Sequence, residues 1–216
     1  MSTNSFFDGW RPQLVESANF VGDFDIPQIE ALPDIVPLPK RLVRFDHRGS
    51  ESNHQQWIHC YTYDQRFTQL VNHTEKYLQE IRAFDGFITP DCSLYRGAPL
   101  AVQIGNTYMN RAVGSYMQHH GIPVICNIRW ADQSSYRFCF DGAPRNSTIA
   151  CSNHGCYRSR EDKYQFEAGF DQMMSELTPR RVILHGTPMP QLNEKYGKEV
   201  EIVYYPSDFA QTRRGF

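Results

Sequence analysis

Apolar runs along this chain are short. Each ends abruptly in polar or ionisable residues, and a helical pattern usually follows. Strand-length runs occur at Leu42-Val43-Arg44-Phe45, Trp57 to Tyr61, Phe87 to Thr89, Val124 to Asn127, Ser147 to Ser152, Arg181 to Leu184 and Val200 to Tyr205. Four of them run straight into chemistry: Pro90-Asp91-Cys92-Ser93, Asn127-Ile128-Arg129-Trp130, Ser152-Asn153-His154 and His185-Gly186-Thr187. Between the strands, Phe67, Val71, Thr74, Leu78 and Ile81 fall at helical spacing after Asp64, which is placed to cap that helix. A long helix is predicted from about Ala98 to His120, with Pro99 in its first turn and Gly121 as its C-cap. Ser159 and Asp162 resemble a capping box ahead of the stripe Phe166, Phe170, Met173 and Leu177, which Pro179 stops. A short helix around Gln191 to Tyr196 precedes the last strand. The stretch from Asp132 to Asn146 reads as irregular, anchored by Phe138-Cys139-Phe140.

This alternation predicts an α/β fold with a mostly parallel sheet of about five to seven strands and flanking helices. Two arrangements are open: a Rossmann-like three-layer sheet, or a partial barrel. In either, strand C-termini share one edge, where ligands of such sheets bind. The polar tails should therefore meet in space. Residues 1–40 differ from the rest. Pro12, Pro27, Pro33, Pro37 and Pro39 preclude a long helix or central strand, yet Phe6, Phe7, Trp10, Phe20, Phe24, Ile26, Ile29, Ile35 and Val36 are too apolar for a free tail. The region reads as an extended arm wrapping over the core or over a partner subunit, and residues 41–216 as a single α/β domain.

Composition narrows the function classes. A formal net charge of -2 gives no global field toward nucleic acid or acidic membranes, although 22 Lys and Arg leave room for a local patch. Arg158, Arg160, Arg213 and Arg214 are too few to argue for nucleic-acid binding against an acidic total. No apolar stretch approaches the roughly 20 residues of a membrane span, and the first residues lack the pattern of a signal peptide. The six scattered cysteines fit buried thiols in a reducing compartment, which points to a cytoplasmic setting.

The candidate chemistry lies at the strand ends. Asp91 can serve as a general base, a hydroxyl acceptor, or simply an acceptor in its turn. His154 and His185 offer proton transfer near neutral pH or imidazoles bonded within turns. Arg129 and Asp132 flank Trp130, either as an anion grip with a stacking wall or as a surface pair beside a half-buried indole. Ser93, Asn127, Ser152 and Asn153 complete the polar rim. Gln103, Asn106, Asn110 and Arg111 line one helix face, where either ligand contact or a buried network explains a row of amides, and the network is favoured. Cys151, His154 and Cys156 cluster, but structural zinc needs four ligands and no second compact pair exists, so no metal is assigned. No motif names a cofactor. No G-x-S-x-G elbow appears, so a hydrolase nucleophile is not indicated.

The segments Thr89-Pro90-Asp91, Ser93-Leu94-Tyr95, Pro99 to Arg111, Phe138 to Pro144 and Ser152 to Cys156 carry a resemblance. From Asp85 to about Tyr205 the chain resembles a family catalogued as domain of unknown function 4417, frequent in bacteriophages and other mobile elements. His154 and His185 depart from the residues usual there. The resemblance therefore moves the site toward Asp91, Ser93, Asn106, Asn110 and Arg111. It implies a phage or mobile-element origin and an intracellular setting, and it supplies no activity. The expected function is an accessory protein that binds, and in an enzymatic version processes, a small nucleotide-like or anionic ligand at the sheet edge. A non-enzymatic protein-binding accessory or anti-defence factor, acting on a protein partner or on a second copy through residues 1–40, is the alternative. A nucleic-acid-binding replication accessory is a third.

Overall fold

The computed structural model describes residues 11–156 and 159–207. Phe6, Phe7, Trp10, Arg158, Asp208, Arg213 and Arg214 lie outside the described residues. The described chain opens with a two-residue antiparallel pair, β1 (Phe20–Val21) and β2 (Ile26–Pro27). Seven further strands follow: β3 (Leu42–Arg44), β4 (Trp57–His59), β5 (Gly86–Ile88), β6 (Val124–Asn127), β7 (Thr148–Ser152), β8 (Arg181–His185) and β9 (Glu201–Tyr205). They form one sheet in sequence order, and every neighbouring pair is parallel. The helices are α1 (Thr68–Asn72), α2 (Thr74–Arg82), α3 (Leu100–His119), α4 (Tyr136–Cys139), α5 (Arg160–Leu177) and α6 (Pro190–Tyr196).

Sequential order leaves no point where the strand order reverses, which is the feature that defines the doubly wound arrangement. The sheet instead curls into a partial barrel. The rings of His59 on β4 and His185 on β8 lie 5.0 Å apart. Four strand spacings in a flat sheet would separate those positions by about 19 Å. The curl sorts each strand by alternation. Trp57, Ile88, Ile125, Ala150 and Ile183 form an inner apolar cluster, while Phe87, Val124, Cys126, Ile149, Cys151, Val182 and Leu184 belong to the outer core shared with the helices. Burial on both faces is why these strands read as nearly continuous apolar runs.

Most predicted elements are present, with shifts at their ends. The helix expected over 67–81 is broken at His73 (φ -141°, ψ 51°), giving α1 and α2. Asp64 caps neither. Ser159 does cap α5, its Oγ accepting from Asp162 N at 3.0 Å. Pro99 sits at the N-cap of α3, and Gly121 beyond its end has φ +78°. The crossover from β6 to β7 holds only the single turn α4 and a three-residue 3-10 turn, Gln133–Ser135.

Residues 11–40 pack on this chain's own core. Leu14, Val15, Ile26, Ile29 and Leu32 are all buried. Leu32, with Val36 and Leu38 beside it, joins the inner cluster and so fills the mouth of the curl at the strand N-termini. Leu32 N donates to Ser147 Oγ at 3.0 Å and Ile29 N to Gly142 O at 2.8 Å. Gly142 has φ +68°, and a Cβ there would sit 2.2 Å from the Pro27 carbonyl oxygen. The arm can lie this close only over glycine. Pro39 accepts from the Tyr205 hydroxyl, which ties the arm to the last strand. Leu32→Ala is expected to cost about 2–5 kcal/mol, the usual range for an emptied core leucine. Chemical denaturation of the full chain measures it.

Candidate functional site

The same alternation that builds the inner core delivers polar groups to the rim. Two residues beyond Ile125 comes Asn127 and then Arg129, two beyond Ala150 comes Ser152, and two beyond Ile183 comes His185. From β4 the series Trp57, His59 and, just past the strand, Tyr61 ends in a hydroxyl. The apolar floor is thus continuous with a polar ceiling.

Two adjoining cavities open there. The first, about 520 Å³, has apolar walls of Leu94, Ile128, Trp130 and Phe166. The second, about 430 Å³, is lined by Arg44, Arg66, Arg129, Asp64, Asp91 and the two histidines His154 and His185, among others. Tyr95, Arg129, Ser152 and Gly155 border both.

Asp91 is nearly buried, at 9% exposure. Its Oδ1 accepts from Asn127 Nδ2 at 2.9 Å, and its Oδ2 lies 3.6 Å from Arg129 Nη1. Asn127 Oδ1 accepts from the Tyr61 hydroxyl at 3.1 Å, so one amide fixes both the carboxylate and the phenol. Arg129 has a buried Nε with no hydrogen-bond partner. Burial works against its charge, and Asp91 more than offsets this, leaving its pKa above the ordinary arginine value. The partner foreseen for Arg129, Asp132, is elsewhere. Asp132 accepts from Ser134 N and Oγ at 2.9 and 2.6 Å as a turn cap and lines neither cavity.

Ser152 Oγ lies 3.1 Å from His185 Nδ1 and accepts from His154 N at 3.2 Å. The His185 ring stacks on Tyr61 with centroids 4.5 Å apart. His59 Nδ1 accepts from Tyr61 N at 3.1 Å. Burial, then the neighbouring His154, pushes the His185 pKa down to about 3. Burial and then His185 hold His59 well below its ordinary value as well. His154 is exposed and faces the second cavity. Trp130 donates its Nε1 to Gln165 O at 3.2 Å and packs on Phe166 with ring centroids 5.2 Å apart.

Other predicted residues lie behind the rim. Arg111 is 1% exposed and donates to the carbonyls of Asp141, Cys139 and Asn127 at 2.9–3.0 Å, and to Asn110 Oδ1 at 2.5 Å. Asn110 Nδ2 donates to Pro90 O at 2.5 Å and to Asn127 O at 3.2 Å, and its Oδ1 accepts from Thr89 Oγ1. Asn106 donates to Ser93 O at 2.7 Å. Asn153 spends its amide on Thr187 O and N at 2.6 and 2.8 Å. These side chains fix the rim's backbone and line neither cavity. Ser93 does line the second one, bound to Asp64, which accepts from Ser93 Oγ at 2.8 Å and from Ser93 N at 3.2 Å. Cys151 belongs to the outer core, on the opposite face of its strand from Ser152. Among the described residues no group of three or more His, Cys, Asp or Glu converges on one point.

Sequence reasoning did not select Arg44, Tyr61, Asp64, Arg66 or Tyr95. For Arg44 and Tyr61 a signal exists, since Arg44 is the last inward-parity residue of its strand and Tyr61 continues the inward parity two residues past the end of β4. For Asp64 and Arg66, in a short 3-10 turn, and Tyr95, in a loop, no periodic signal exists. Arg44 and Arg66 both donate to Asp46, at 2.7–2.9 Å. Burial would raise the Asp46 pKa, but these two guanidinium groups hold it down at about 2.

Residues 18–206 match a family described as a domain of unknown function, DUF4417. The chain belongs to that family. The match starts inside the arm and ends just beyond β9, so it takes in the plug as well as the barrel. Two phage proteins are similar over 182 residues, or 82% of this chain. The Gene 1 protein of Mycobacterium phage D29 is 32% identical, with 67% of its length covered. That of Mycobacterium phage L5 is 29% identical, with 80% covered. No solved structure matches the chain significantly. The protein is phage-associated by these relatives. Among the described residues no helix is long and apolar enough to cross a membrane.

Two predictions come from the geometry. Arg111→Met leaves the carbonyls of Cys139 and Asp141 without this donor, and the protein should lose about 2–4 kcal/mol of stability, read by denaturant unfolding. The two buried histidines set a pH dependence. Both are neutral when folded and have depressed pKa values, whereas the unfolded chain takes up protons below the ordinary value of 6.5. The unfolded state therefore binds more protons as pH falls, and stability is lost from about pH 6.5 downward. The slope approaches about 1.4 kcal/mol per pH unit for each histidine once the unfolded chain is protonated. Thermal melts between about pH 7.5 and 5 should show this fall, and His185→Gln should flatten it.

Proposed function

We propose that this phage-associated protein binds a small anionic ligand at the C-terminal rim of its partial barrel, with Arg129 as the anchor. The observation that carries this reading is the state of Arg129. Its guanidinium sits at the junction of both cavities, with a side chain 21% exposed. Among the described residues its one ion pair is a long 3.6 Å contact with Asp91, the Cys156 thiol is a second neighbour, and its Nε has no partner. Arg111, by contrast, has every guanidinium nitrogen engaged, in four hydrogen bonds. A planar guanidinium with open donors suits bidentate capture of phosphate or carboxylate. Arg44 and Arg66 add positive charge to the same cavity, although Asp46 already engages both. Asp91 Oδ2, facing Arg129 rather than Asn127, is the acceptor placed for a ligand hydroxyl. Ser152 and His185 would give the same cavity a hydroxyl and a neutral imidazole, should the ligand also be processed.

The arm lends the protein-partner alternative little support, since most of its described apolar residues pack on this chain's own core, with Ile35 and Phe20 left exposed. The test is a thermal-shift and calorimetric screen with inorganic phosphate, pyrophosphate and simple phosphate esters. Binding of N but not U raises the melting temperature in proportion to the logarithm of ligand over Kd. Arg129→Gln should weaken binding by about ten- to a hundredfold, the worth of a charged hydrogen bond. Asp91→Asn with Arg129→Gln controls for an orphaned carboxylate. An absence of any anion effect, or full affinity in Arg129→Gln, removes the reading.

A further inference from the structure

The two cavities differ in chemistry although they share a wall. One has Trp130, Phe166, Leu94 and Ile128 among its walls, together with the Arg96–Asp162 ion pair. The other is ionic, with three arginines and two carboxylates among its lining residues. Arg129 borders both, so a group held by it reaches into either. Ligand sites of about 300–1,000 Å³ take molecules of cofactor or drug size, and each lobe lies within that range. A ringless anion would fill the ionic lobe and leave the aromatic lobe to water.

Resting on the anion-site reading, we infer that the ligand is bipartite: a ring-bearing phosphate ester of the nucleoside monophosphate class. Its planar ring lodges in the Trp130–Phe166 lobe and its phosphate lies against Arg129 on the ionic side. The ring's apolar faces match Trp130 and Phe166, and its edge meets the polar lining of that lobe, Gln165 and the Arg96–Asp162 pair. Tyr95, 64% exposed, stands at the border of the two lobes, where the sugar crosses from one to the other. A hydroxyl of that sugar faces Asp91.

The indole position depends on one residue that no ligand reaches. Gly169 on α5 lies directly against Trp130, and a Cβ there would come within 2.1 Å of the indole Nε1. Gly169→Ala must therefore shift the Trp130 ring or the helix that carries position 169, which disturbs the indole's bond to Gln165 O, and it makes no direct contact with Arg129. Calorimetry on the full chain compares adenosine and uridine monophosphates with ribose 5-phosphate and inorganic phosphate. The nucleotides should bind about tenfold or more tightly than the ringless compounds, as expected from one ring stacked on an aromatic wall. Gly169→Ala should erase that ratio without changing affinity for ribose 5-phosphate. Phe166→Leu, which keeps an apolar side chain, should reduce it and guards against a folding failure of the first variant. Equal affinity for ring-bearing and ringless phosphates overturns the bipartite assignment and leaves the anion site standing. So does a nucleotide preference that survives both variants. Failure of every phosphate to bind overturns the anion site and this inference together.

Discussion

The curvature of the parallel sheet is what everything else depends on. Seven strands in sequential order place β4 and β8 four positions apart, yet their histidines touch. Once the sheet curls, the inner parity of each strand becomes one enclosed column, apolar below and polar above. The floor is Trp57, Ile88, Ile125, Ala150 and Ile183. The ceiling is Tyr61, Asn127, Ser152 and His185. The transition falls within one side-chain step on each strand, so the rim is carried by the most rigid elements of the fold. Groups positioned on strands rather than loops are held in a narrow range of geometry.

A second layer of polar bonding keeps that rim in register. Asn110 and Arg111 on α3 reach the backbone of β5's extension, the end of β6 and the irregular crossover after it. That crossover lacks a long helix to pack it, and Arg111 takes over much of that role through carbonyls at 139 and 141. A buried charge is costly unless its donors are filled. Here each nitrogen of Arg111 donates, and the guanidinium becomes a fixed point between one helix and two strand ends. Arg129 differs in this respect, and the contrast between two arginines in neighbouring positions separates a structural role from an open one.

Much of this was legible in the chain. Strand positions, the long α3, the Ser159 cap and the meeting of polar strand ends follow from periodicity and capping chemistry. The curl does not, because a flat and a curled parallel sheet use the same apolar runs, and only strand order tells them apart. The arm's apolar residues were visible, but whether they cover this chain or another depends on where the open mouth lies. Within the site, the amide row of α3 drew notice as polar residues on a helix, and composition alone does not tell a spent amide from an available one. Arg44 and Tyr61 went unselected because inward parity has meaning only once the inner face is known. Asp132 was placed beside Arg129 by sequence proximity, whereas Arg129 pairs across strands with Asp91.

The first and last strands of the sheet, β3 and β9, are not paired to each other. In a fully closed barrel, strand number and stagger dictate the diameter. Here a seam runs down one side, bridged by the Tyr205 hydroxyl on the Pro39 carbonyl, while Leu38, Leu42 and Tyr205 each pack on the inner cluster. The bore is consequently gauged by a proline-rich peptide wedged in the far end rather than by a complete ring of hydrogen bonds. Aperture and plug are mechanically one part, and a change in how residues 32–39 seat would be transmitted to the opposite opening.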